Sequence, residues 1–255
     1  MRHLVLFCLL VTACAHKPAP RPSGAANQKS VLLIHGSHFD ESAWQKVIPE
    51  LSKLYHTTAI TLPGRQEQQH VSLKNMATDV CGKTNNPTIV VAHSFGGVVA
   101  NAMVGVCPEK IRQIVYVTGL VPLKGEKPFD AVNKSDQKTY NEIAEFKKDR
   151  IYPKPAETFL PGMDQGIDMK KAPTLTLHSE SYSAGKAPLK YDEVVFDKIP
   201  KAYVYTEKDR IVTMETQIKF TSRTPMTKTA SVNSGHLPML SQPKALVSAL
   251  KQVIP

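Results

Sequence analysis

The chain holds a single Trp and four Cys among 255 residues, and aromatics make up only 7%. So few Cys cannot staple a coreless chain, which excludes a disulfide scaffold. No window approaches the ~20 consecutive apolar residues of a membrane-spanning helix. No period of roughly 20–50 residues recurs, which argues against a solenoid. No glycine-rich phosphate loop is present, and no cluster of His, Cys or acidic residues has metal-ligand spacing, so neither a metal nor a cofactor is expected. What is there is ordinary globular composition, 42% apolar and 21% charged. Its length suits one large α/β domain or two small ones. The balance is basic at +10, which raises nucleic acid, an anionic membrane or an acidic ligand as partners.

Residues 1–14, MRHLVLFCLLVTAC, open with Arg2 and continue as an apolar run from Leu4 to Val11 that closes on small residues. This is the layout of a secretory signal, too short to span as a mature helix. The ending Val11-Thr12-Ala13-Cys14 resembles the bacterial lipobox. That resemblance implies cleavage after residue 13 and acylation of Cys14; the alternative is an ordinary signal peptide that contains a Cys. Ala15 stands where an Asp commonly retains such proteins at the inner membrane, so an outer-membrane anchor facing the periplasm is expected. Residues 14–29 are rich in Pro, Ser, Gly and Ala and read as a flexible tether.

From Ser30 onward, strand patterns alternate with helical ones. Strands are expected at Ser30–Ile34, His56–Leu62, Thr88–Ala92, Ile111–Val117, Ala202–Thr206 and Lys228–Val232. Helices are expected at Trp44–Leu54, interrupted by Pro49, and at Ser72–Cys81, from the His93–Gly97 turn to about Val106, and at Met214–Ser222 and Lys244–Val253. The alternation predicts an α/β fold with a mostly parallel, doubly wound sheet of about six strands. Residues 122–200 lose this rhythm, with one helix expected near Lys138–Lys148, and read as a cap inserted over the C-terminal strand ends.

Ala92-His93-Ser94-Phe95-Gly96 lies between a strand and a helix, where a nucleophile elbow belongs. Its sharp turn needs small residues two positions either side of Ser94, and Ala92 and Gly96 supply them. His35-Gly36-Ser37 follows the first strand, so the backbone N–H groups of Ser37 and Phe95 are candidates for an oxyanion hole. Asp209 and His236 each follow a later strand and complete the order nucleophile, acid, base. Glu207 rivals Asp209 and reads better as a solvated loop charge. His93, His35 and Trp44 read as structural, and His178 as solvent-facing or packing. With Cys8 lost with the signal and Cys14 acylated, Cys81 and Cys107 remain at the edge opposite the site, either as buried thiols or as a disulfide.

The segments HGSHFDESAWQKVIPEL (35–51), VVAHSFGG (90–97), IVYVTGLVP (114–122), YTEKDR (205–210) and GHLPMLSQP (235–243) resemble the α/β-hydrolase superfamily. The similarity is to the branch of methylesterases, hydroxynitrile lyases and related bacterial serine esterases. It implies an α/β-hydrolase fold and a serine esterase, with Ser94 as nucleophile, His236 as base and Asp209 as orienting acid. The lyases carry Thr after the first-strand His and Lys after the catalytic His. Here Gly36 and Leu237 stand there, which favours cleavage of a small or medium apolar carboxylic ester through an acyl-enzyme. The alternatives are carbon–carbon bond hydrolysis or cofactor-free oxidation on the same scaffold, or a tethered binding lipoprotein without turnover.

The charge divides unevenly. Residues 122–200 hold 13 basic and 13 acidic side chains, while Lys17, Arg21 and Lys29 put +3 on the tether. Basic residues elsewhere are scattered singly, so nucleic acid recedes as a partner. A basic tether beside an acylated Cys suits an anionic lipid surface.

Overall fold

A computed structural model describes residues 28–65, 70–170 and 175–255. The signal, Cys14 and the tether as far as residue 27 lie outside the described residues.

Strands among the described residues are β1 (Ser30–Ile34), β2 (His56–Ile60), β3 (Thr88–His93), β4 (Ile111–Val117), β5 (Ala144–Lys147), β6 (Arg150–Pro153), β7 (Glu180–Ser181), β8 (Lys201–Thr206) and β9 (Lys228–Val232). Six of them form one sheet in the order β2-β1-β3-β4-β8-β9, every pair parallel. All six were legible as apolar or β-branched runs. β3 is buried at every residue, as a strand covered on both faces must be, whereas the edge strand β2 alternates in exposure and the edge strand β9 is mostly exposed. Helices cover the sheet: Leu73–Gly82, Met214–Arg223 and Pro243–Val253 are amphipathic, whereas Gly96–Val104, behind the nucleophile, is buried at every residue.

Two expected helices form differently. The Trp44–Leu54 pattern divides into a 3-10 turn at Glu41–Trp44 and a short helix at Ile48–Leu51. Pro49 lacks an N–H and fits only a first turn, so it starts a helix instead of continuing one. The helix expected near Lys138–Lys148 is Lys134–Asn141, and the chain then turns into β5. Lys148, at φ +56°, closes a hairpin with β6 that an uninterrupted helix could not contain. β5, β6 and β7 make a small antiparallel sheet within the capping segment.

The sheet order fixes where chemistry can occur. The connection after β1 runs to β2 on one side and the connection after β3 runs to β4 on the other, so a crevice opens beyond the C-terminal ends of β1 and β3. The loop after β1 carries Ser37, and the turn after β3 carries Ser94. The loops after β8 and β9 bring Asp209 and His236 to the same edge. At the opposite edge Cys81 and Cys107 are joined as a disulfide, with Cα atoms 6.1 Å apart.

Candidate active site

Ser94 sits at φ +50°, a left-handed conformation that is strained for any residue with a side chain. The strain lifts its hydroxyl clear of the strand. The turn is tight enough that a Cβ on Gly96 would lie 2.8 Å from the His35 carbonyl oxygen. On Gly36 a Cβ would lie 2.8 Å from that of Ser94. Both glycines are therefore required by close approach of the two loops.

The predicted acid and base meet this serine. His236 Nε2 lies 2.9 Å from Ser94 Oγ, and its Nδ1 lies 2.7 Å from Asp209 Oδ2. All three side chains are buried. Asp209 is fully engaged: Oδ2 also accepts from Thr118 Oγ1 at 2.6 Å and Thr206 Oγ1 at 2.9 Å. Its Oδ1 accepts the N–H groups of Ile211 and Val212 at 2.8 and 2.9 Å. Burial opposes ionisation of this carboxyl. The charge and hydrogen bond of His236, with the Thr118 hydroxyl and the Val212 N–H, outweigh it and hold the group below the ordinary carboxylate value. Glu207, the rival acid, is exposed.

Ser37 and Phe95 line the same cavity as Ser94 and His236. Neither backbone N–H donates to a protein acceptor among the described residues, which leaves both able to face a developing oxyanion. His35 orders the first of these loops. Its Nδ1–H donates to the Gly36 carbonyl at 2.8 Å and its Nε2 accepts from the Leu62 N–H at 3.0 Å. Burial, reinforced by the Arg65 charge, pushes its pKa down to about 3, so the ring stays neutral. His93 lies under the base and donates from Nε2 to the His236 carbonyl at 2.8 Å. Burial and the adjacent His236 lower it likewise to about 3. Trp44 is a core residue, fully buried.

His178 is half-buried, and its contacts define the packing role. Its Nε2 lies 3.0 Å from Asp40 Oδ2 and its backbone N–H donates to the His38 carbonyl at 2.9 Å, so it ties the capping segment to the oxyanion loop. Its own sequence surroundings, all loop-like, carried no sign of that partner. Thr118 and Thr206 were missed too. Both close predicted strands next to the acid, and only that position could have marked them.

The cavity above Ser94 measures about 340 Å³. Phe129, Tyr140, Phe146 and Tyr182 of the capping segment line it, with Lys148 and Lys186 also contributing. These aromatic rings give the wall large apolar surfaces, and Asp136, Gln137 and Asn141 join the two lysines in setting polar groups among them, which suits a ligand apolar over part of its surface. Among the described residues, no group of three or more His, Cys, Asp or Glu side chains is placed to hold a metal ion.

Comparison with known proteins agrees with this architecture. Probable hydrolase R7 of Phoma sp. is 25% identical over 243 residues, covering 88% of this chain and 97% of the relative. Methylesterase 7 of Arabidopsis thaliana is 23% identical over 255 residues, covering 89% and 96%. Among solved structures, a pyrethroid hydrolase from Sphingobium faniae superposes with a TM-score of 0.78 at 18% identity, covering 88% of this chain and 96% of that one. Residues 31–249 match the alpha/beta hydrolase family, and with the parallel sheet and its strand-end loops already described, the chain belongs to that family.

Proposed function

We propose that the chain is a serine hydrolase cleaving a small or medium apolar carboxylic ester through an acyl-enzyme. The observation that carries this reading is the unbroken line from Ser94 Oγ through His236 to a fully engaged Asp209. A serine hydroxyl is a poor nucleophile until a neutral imidazole accepts its proton. Here His236 Nε2 takes that proton as Ser94 Oγ attacks the ester carbonyl. Asp209 holds the imidazole in the tautomer that presents Nε2 to the serine, and stabilises the imidazolium that forms.

The carbonyl oxygen becomes an oxyanion facing the N–H groups of Ser37 and Phe95. Collapse of the tetrahedral intermediate expels the alcohol, protonated by His236, and leaves Ser94 acylated. Water then gives a proton to His236 as it attacks the acyl carbon, and the acid departs as His236 returns that proton to Ser94 Oγ. The naming of relatives as methylesterases and a pyrethroid hydrolase supports an ester, and the aromatic cavity supports an apolar one.

The same reading includes export. Residues 1–13 act as a signal, Cys14 carries the lipid, and residues 14–29 form the tether for a hydrolase domain of residues 30–255 capped by about 122–200. The Cys81–Cys107 disulfide supports an oxidising compartment. Cys14→Ala shifts the protein from the membrane to the soluble periplasmic fraction. For the activity, p-nitrophenyl esters and a fluorophosphonate probe are applied to parent and Ser94→Ala. The parent hydrolyses and labels; Ser94→Ala does neither. Equal hydrolysis by both removes Ser94 from the reaction.

A further inference from the structure

The capping segment holds 13 carboxylates between residues 122 and 200. Ten are exposed or half-buried, and only Asp136, Asp164 and Glu180 are buried. Burying a carboxylate is costly unless donors surround it, so the destination of each buried one is informative.

Asp136 accepts the Thr213 N–H at 2.9 Å and the Thr213 hydroxyl at 3.0 Å. Thr213 follows Val212, whose N–H binds Asp209. Asp164 Oδ2 accepts the Leu237 N–H at 3.2 Å and Ser241 Oγ at 2.6 Å, directly after His236. A Cβ on Gly235 would sit 2.7 Å from the Asp164 carboxyl, so the base loop and this acid are in close contact. Glu180 accepts the His38 N–H at 2.7 Å, next to Ser37, and is ion-paired with Arg65. His38 is itself left-handed, at φ +67°. Three buried acids thus end on three different loops, those of the acid, the base and the oxyanion hole.

We propose that Asp136, Asp164 and Glu180 are positioning residues through which the cap holds the three loops of the active site in register. The cap then acts as more than a wall for the substrate. Within the core, His93 holds the His236 carbonyl, Thr118 holds Asp209 and His35 orders the oxyanion loop. The cap adds a further anchor to each through a carboxylate on a separate cap element. Donors bound to an ionised carboxylate are held more strongly than those bound to a neutral oxygen, which is what replacement by an amide removes.

The catalytic part of this inference rests on the serine-hydrolase reading; the holding of the loops does not. The test compares Asp136→Asn, Asp164→Asn and Glu180→Gln with Glu126→Gln. Glu126 is a cap carboxylate paired with Arg223 and with no bond to these loops. Backbone amide exchange, read by mass spectrometry, is expected to accelerate about tenfold in the matching loop only: 209–214, 235–241 or 36–40 respectively. Glu126→Gln leaves all three loops protected.

In p-nitrophenyl ester assays each of the three amide variants lowers kcat by about 10-fold or more while KM moves less than about threefold. Exchange that is unchanged, or raised equally throughout the cap by all four variants, overturns the proposal. So does a loss confined to KM. If one variant fails to fold, the other two decide. Should the parent resist the fluorophosphonate and hydrolyse no ester, the functional reading fails, and amide exchange still decides whether the acids hold the loops.

Discussion

The Thr118 hydroxyl donates to Asp209 Oδ2 across 2.6 Å, onto the same oxygen that receives the His236 Nδ1–H. Thr118 does so from φ +39°, at the end of β4, the strand between those that present the nucleophile and the acid. Ser94 and His38 share its left-handed backbone. Strain is therefore concentrated where loops from neighbouring strands converge.

Thr118→Val keeps the shape and removes the donor. It is expected to lower kcat about 10-fold with little change in KM, since a buried acceptor losing a charge-assisted bond costs ~1–3 kcal/mol. Thr118→Ser retains the hydroxyl and stays within about threefold of the parent. Steady-state kinetics on one p-nitrophenyl ester checks both. A fully active Thr118→Val would remove the residue from the mechanism.

Gly96 faces backbone rather than pliable side chains. A Cβ there would meet the His35 and Ile34 carbonyl oxygens at 2.8 and 2.9 Å. Gly96→Ala is expected to cost about 1–3 kcal/mol by overpacking and to cut turnover by more than ~10-fold, because the β1 loop shifts against Phe95. Gly82→Ala, whose Cβ would meet nothing within 4 Å, is the control. It leaves stability unchanged or slightly raised, as read by urea unfolding.

His35 and His93 are buried with pKa values near 3, below the ordinary 6.5. In the unfolded chain both protonate near 6.5, so the unfolded state binds more protons below that pH. Their contribution to stability is complete above about 6.5 and is lost as pH falls from there toward 3. The slope approaches about 1.4 kcal/mol per pH unit per group only well below 6.5, so acidifying from 6.5 to 5 costs roughly 3 kcal/mol for the pair. Urea unfolding at the two pH values reads this loss directly. Equal stability at both contradicts the neutral, buried rings.

Reducing the Cys81–Cys107 bond frees a loop whose ends are 26 residues apart. The expected loss is about 3 kcal/mol. The bond lies at the sheet edge away from Ser94, so folded Cys81→Ala/Cys107→Ala protein should retain its kcat. Denaturant unfolding with and without reductant, alongside ester assays, separates the two effects. A large fall in kcat at full folding would place the disulfide in the active-site framework instead.

Much of the scaffold was legible before any coordinates. The inner strands β1, β3 and β4 are dense apolar runs, because parallel strands covered on both faces leave little room for polar residues, while the edge strands β2 and β9 showed mainly through β-branched residues. Ser94, Asp209 and His236 could be named because each follows such a strand, and a strand end is a local feature. The departures, at Trp44–Leu54 and Lys138–Lys148, occurred where a proline and a tight hairpin overrode helical spacing.

By itself, the sequence determined which residues could do chemistry and on which strand ends they would lie, since strand pattern and turn chemistry act over a few residues. Only the tertiary structure decided what holds them. Thr118 and Thr206 bind Asp209 from two strands, and Asp136, Asp164 and Glu180 come from a segment with little periodicity. Along the chain the three cap acids look like the ten that are exposed or half-buried. What sets them apart is burial against a loop more than 70 residues away, a contact set by the packing of the whole fold.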